Sequence, residues 1–125
     1  MSGSRQFAAE GEPVTRHIFT VIENSGDTPV YGLFVAKKLD PNTADAFHQA
    51  RYWRNRGEYV STPVVALEIE QVLALVRRIQ QQPVTAADIR SLLDHILELQ
   101  SSSPHGPAWY REYSKLYDHW VNENR

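Results

Sequence analysis

Apolar residues recur at Val14, Ile18, Val21 and Ile22, the spacing of one helix face, and Pro13 suits the first turn, where its missing N–H costs nothing. The pattern fades at Asn24-Ser25-Gly26-Asp27, a turn sequence ahead of Pro29. Val30 to Ala36 is apolar almost throughout, too short for a buried helix and rich in strand formers. It predicts a central strand buried on both faces. Asp40-Pro41-Asn42-Thr43 opens a second helix that runs to about Tyr52, with Ala46, Phe47 and Ala50 inward. A polar, arginine-rich loop from Arg51 to Gly57 then leads to a second strand around Thr62 to Leu67, with Pro63 at its start. Ile69, Val72, Leu73, Val76 and Ile79 mark an amphipathic helix ended by a glutamine run and Pro83. Thr85 and Asp88 make a capping box for a fourth helix carrying Ile89, Leu92, Leu93, Ile96 and Leu97. From Pro107 a last helix sets Trp109, Tyr113, Leu116, Tyr117 and Trp120 along one side.

The order α-β-α-β-α-α-α predicts an α/β fold. In it a helix precedes two parallel strands, joined through a right-handed crossover helix, and a three-helix layer follows. Two buried strands leave sheet edges unsatisfied, so the chain is expected to associate with itself or to accept strands from elsewhere. The 125 residues make one domain or a domain fragment, with an α/β part over 1–100 and a C-terminal helix over 107–125. At 42% hydrophobic the chain can build a core, which excludes a disordered protein, and no apolar run reaches the ~20 residues of a membrane span. The polar start carries no secretory signal, and no cysteine is present for a disulfide, a zinc ribbon or a thiol nucleophile. Both point to the cytoplasm. A formal charge of −2 excludes binding nucleic acid by bulk charge and leaves only a local patch.

Three stretches carry a resemblance: Ser2 through Arg5, Gln6 and Glu12 to His17; Pro29 to Ala36 with Asp40-Pro41-Asn42-Thr43-Ala44 close behind; and Ala66 to Leu73 with Pro83 to Ile89 following. Together they resemble the AlwI-like restriction endonucleases, type IIS enzymes whose cleavage module is related to that of the FokI nuclease. The second stretch is the most specific, and the resemblance spans about residues 2 to 97. Lys37-Lys38 and Phe47-His48-Gln49 depart from the family pattern. The resemblance implies a partial restriction-endonuclease-like fold, DNA as substrate in the complete enzyme, and Mg²⁺-dependent phosphodiester hydrolysis. That chemistry uses an Asp and an acidic-x-Lys or acidic-x-Thr on adjacent strands, where carboxylates hold the metal and lower the pKa of the attacking water. No acidic-x-Lys or acidic-x-Thr occurs in this chain: Lys37, Lys38 and Lys115 follow Val35, Ala36 and Tyr113 at that spacing, and none of the six threonines has an acid two residues before it. The resemblance places the motif on the strand before Ser2 to Gln6, so the catalytic residues and the Mg²⁺ site are expected upstream of Met1, with no catalytic or metal residue here. A stand-alone, non-catalytic binding or regulatory module on a degenerate nuclease scaffold is the alternative.

By the same resemblance the first helix lies beside the active site, which makes Arg5, Gln6, Glu12, Arg16 and His17 site-adjacent candidates. Glu12 and Arg16 are also spaced as an ordinary i,i+4 surface pair. Lys37, Lys38, Arg51, Arg54 and Arg56, with Trp53 among them, are the DNA-backbone candidates. Cations interleaved with aromatics can grip phosphates and stack on a base, or merely anchor a solvated loop. The five histidines show no i,i+4 pair, and Glu68 and Glu70, two apart, do not face each other on a helix.

Overall fold

The computed structural model describes residues 6–53 and 57–123; Arg5, Arg54 and Arg56 lie outside the described residues. A π-helical turn, Phe7–Gly11, runs directly into α1, Glu12–Glu23. Strand β1 (Gly32–Ala36), helix α2 (Pro41–Gln49), strands β2 (Arg51–Trp53), β3 (Tyr59–Ser61) and β4 (Val64–Glu68) follow. Three helices complete the chain: α3 (Ile69–Gln81), α4 (Ala86–Ser102) and α5 (Gly106–Asn122). The fold is α/β, as the pattern predicts. β1 and β4 pair in parallel, with Gly32 opposite Val64 and Ala36 opposite Glu68, so their carboxyl ends lie side by side.

Local chemistry accounts for most boundaries. Asp40 caps α2 by accepting from the Asn42 amide at 2.9 Å, and Thr85 and Asp88 form the reciprocal capping box that starts α4. Glu68 and Gln71 do the same for α3. Helix α2 stops at Gln49, short of Tyr52, because Arg51 turns back and donates from Nη1 to the carbonyls of His48 and Ala50. The segment read as an arginine-rich loop is a hairpin: Arg51 to Trp53 pairs antiparallel with Tyr59 to Ser61. Gly57, at φ +84°, turns it at a backbone angle that only glycine adopts freely. The last helix begins one residue before Pro107, capped by His105, whose Nδ1 accepts from the Ala108 amide.

The expectation of a strand covered on both faces belongs to β4, not β1. Val64, Val65, Ala66 and Leu67 are all buried. Alternate residues of β1 point to opposite sides: Phe34 packs on Phe47 of α2, while Leu33 and Val35 remain 50% and 43% exposed. Helix α3 departs from the usual inward stripe as well. Ile69, Leu73, Val76 and Ile79 face outward, and its one fully buried side chain is Arg78, whose guanidinium lies 5.7 Å from the ring centre of Trp120.

Helix α5 is the pillar of the core. Trp109, Tyr113 and Tyr117 are buried, and each polar tip finds a backbone carbonyl: Trp109 Nε1 on Ile96 at 2.9 Å, Tyr113 on Ala66, Tyr117 on Gln71 at 2.6 Å. At its start Gly106 presses on α2, and its amide donates to Asp45 Oδ1 at 2.9 Å.

Candidate functional site

In a parallel α/β sheet the natural ligand crevice lies beyond the carboxyl ends of the strands. Here that place holds a cleft of about 640 Å³ lined by Gln6, Glu10, Lys37, Lys38 and Asp40, with the last turn of β1 as its floor. The 37–41 segment that forms its wall is held from two sides. Gln6, only 8% exposed, donates from its side-chain amide to the Lys38 carbonyl at 2.8 Å and accepts from the Asp40 amide at 2.9 Å. Glu68, at the end of β4, accepts from the Leu39 amide at 2.7 Å. A satisfied, doubly clamped loop presents its side chains on a fixed backbone. The side chains so presented are Lys37 and Lys38, both exposed, next to the N-terminus of α2, which the Asp40 carboxylate already caps. The arrangement suits an anion such as a phosphate.

The sequence candidates separate on this geometry. Gln6, Lys37 and Lys38 meet at the cleft. Glu12 and Arg16 pair with each other at 3.5 Å on the surface of α1, both well exposed, and His17 is also exposed. Arg51 sits at the root of the hairpin with one guanidinium nitrogen spent on backbone carbonyls. Trp53 is exposed at its far end. Glu10 and Asp40 join the cleft, and Glu68 ties down its wall, though none of the three was a candidate site residue. The capping role of Asp40 was readable from Asp-Pro-Asn-Thr, but the reach of Glu68 to Leu39 spans 29 residues and has no local signature. His48 is buried, its Nε2 3.0 Å from the carbonyls of both Gln100 and Ser103, a structural post between α2 and α4. Both partners accept, so Nε2 carries the hydrogen.

Asp40 in the cleft and Glu68 behind its wall are both spoken for by backbone amides, Asp40 by Asn42 and Glu68 by Leu39. Among the described residues no group of three or more His, Asp or Glu side chains is placed to hold a metal ion. Burial, with Glu68 nearby, pushes the Tyr110 hydroxyl up to about 12, so it stays neutral and donates to Gln71 Oε1 at 3.2 Å. No helix among the described residues is long and apolar enough to cross a membrane.

A sequence model described as AlwI restriction endonuclease matches residues 1–75. The match takes in α1, both strands of the parallel pair, α2, the hairpin and the first half of α3, and therefore the whole lining of the cleft. No curated protein and no solved structure matches the chain.

Proposed function

This chain belongs to the AlwI restriction endonuclease family, and we propose that it supplies the DNA-backbone-holding part of a Mg²⁺-dependent cleavage domain. The observation that carries the reading is the lysine-bearing cleft at the strand ends, inside the region that the family match covers. Lys37 and Lys38 hold phosphate on the wall that Gln6 and Glu68 keep rigid, and this positions DNA without reading its sequence. The described residues do not fit a resident Mg²⁺, and no hydrolytic step is assigned to them. Acidic residues and metal come on strands that add to β1, which among the described residues has a strand neighbour on one edge only. The outward apolar residues of β1 and α3 support the same pairing, or self-association of the chain. The enzyme works in the cytoplasm, where its DNA is.

Fluorescence anisotropy with a labelled duplex over a salt series tests the reading. Lys37→Ala with Lys38→Ala should weaken binding equally across sequences and lower the slope of log K against log salt by about 2. A folded double variant with the parental slope would refute it. The second reading is a non-catalytic binding module, in which the same lysine-bearing cleft holds DNA without cutting it. Under both, this chain with Mg²⁺ or Mn²⁺ leaves plasmid DNA intact. Cleavage restored by a polypeptide carrying the acidic strands supports the first, and DNA binding without restored cleavage supports the second.

A further inference from the structure

The cleft makes no use of the hairpin, whose end carries two large aromatic rings in the open. Trp53 and Tyr59 stand directly opposite each other across β2 and β3. Their ring centres lie 4.8 Å apart at 38°, yet the residues are 69% and 59% exposed. Each ring therefore covers one face of the other and leaves an outer face to solvent. Of the other two tryptophans, Trp109 is buried and Trp120 half-buried. The hairpin is also rooted. Tyr52 packs on Phe19 of α1 with ring centres 4.6 Å apart, Arg51 is tied to the end of α2, and the Thr62 amide donates to the Ala50 carbonyl at 3.0 Å. A rooted hairpin holds its exposed rings in place before any partner arrives, which lowers the ordering cost of binding.

Resting on the reading of this chain as a DNA-binding protein, we propose that Trp53 and Tyr59 form a stacking platform for an unpaired nucleobase. Two features select that partner. Residues 51–61 hold three arginines against one glutamate, in a chain whose overall charge is −2, so this stretch of sequence is locally basic, as a partner with a phosphate backbone requires. Exposed ring faces also have no counterpart in the grooves of a duplex, which display base edges and bury the π-faces against neighbouring bases. An unstacked base offers the matching face. Helix α2 separates the platform from the lysine cleft. Its nine residues span about 13 Å, the length of roughly four nucleotide steps along a strand.

The test compares a short labelled single strand with an abasic strand of the same length, which keeps the phosphates and lacks the π-faces. The full chain should bind the base-bearing strand about five- to a hundred-fold more tightly, the range that stacking on one aromatic contributes. Trp53→Ala should bring that ratio close to one while leaving the salt dependence unchanged. Trp53→Phe keeps a ring in the hairpin, so it should retain most of the preference and lose the tryptophan quenching that accompanies binding. Lys37→Ala with Lys38→Ala should weaken both strands equally and preserve the ratio, so failure of the cleft reading and failure of the platform are told apart. The proposal is overturned if the parent chain does not distinguish the two strands, or if folded Trp53→Ala still does. A ratio of one, with the rings instead shielded by an added protein, would assign the platform to a polypeptide partner.

Discussion

Replacing Gly106 with alanine should remove a large part of the stability of this fold. A Cβ at that position would lie 2.2 Å from both Cα and N of Asp45 and 2.3 Å from the carbonyl carbon of Ala44. Non-bonded carbons rest at about 3.5–4.0 Å, so α2 and α5 must part by about 1 Å or more. All three atoms belong to the backbone of α2, and no side-chain rotation relieves the overlap. Overpacking costs about 1–3 kcal/mol, more where nothing can give. Separation also draws the Gly106 amide away from Asp45 Oδ1, a bond to a charged acceptor that contributes about 1.5–3 kcal/mol. Together they amount to about 3–5 kcal/mol out of the roughly 5–15 of a typical domain, a fall in melting temperature of about 10–20 °C for a chain of this size. Circular dichroism melts in the far and near ultraviolet would read it. Asp45→Ala, which loses the acceptor without the overlap, should cost less than Gly106→Ala. A Gly106→Ala protein melting within about 3 °C of the parent would refute backbone contact between the helices. The consequence reaches the cleft, because the same α2 begins at Asp40 in its wall.

Three other outcomes are expected. The Tyr31 hydroxyl titrates above its ordinary value through its hydrogen bond to Asp94, Tyr110 near 12 through burial, and Tyr113 and Tyr117 well above their ordinary value for the same reason. The unfolded chain therefore releases these protons first. Stability should hold below pH about 10 and fall as pH rises through 12, which urea midpoints across that range would show; a flat profile would contradict the burial argument. Gln6→Ala strands the Lys38 carbonyl and the Asp40 amide, and should cost about 1–3 kcal/mol. It should also weaken duplex binding in the anisotropy assay, and unchanged affinity would mean the clamp does not position the lysines. Leu73→Lys with Val76→Lys alters exposed positions, so each substitution should leave stability within about 0.5 kcal/mol. The pair should abolish any concentration-dependent sedimentation of the chain, and its persistence would place self-association elsewhere.

The sequence alone determined what depends on neighbours a few residues away. Helices α1, α3 and α4, the Asp40 and Thr85 caps, and two strands destined to run parallel were all readable, because periodicity, capping oxygens and proline act within one or two turns. The family was legible too, from the strand with its Asp-Pro-Asn-Thr sequel. Tertiary structure decided which faces are covered. The alternation of β1 does not reveal that Phe34 meets Phe47 while Leu33 and Val35 stay open, and the stripe on α3 does not reveal that Val72 packs on the core while Leu73 and Val76 stay exposed and Arg78 is buried beside Trp120. The three-residue strands of the hairpin carry too little pattern to be told from a loop; Phe19 on Tyr52 and the Ala50–Thr62 bond root them there. The cleft is likewise a product of register. Gln6, Lys38 and Glu68 are far apart in the chain and meet because parallel pairing sets Ala36 beside Glu68, and burial leaves each backbone amide there to find an acceptor. Local patterns encode elements, and only contacts between distant segments, which no short window of sequence contains, choose the faces those elements present.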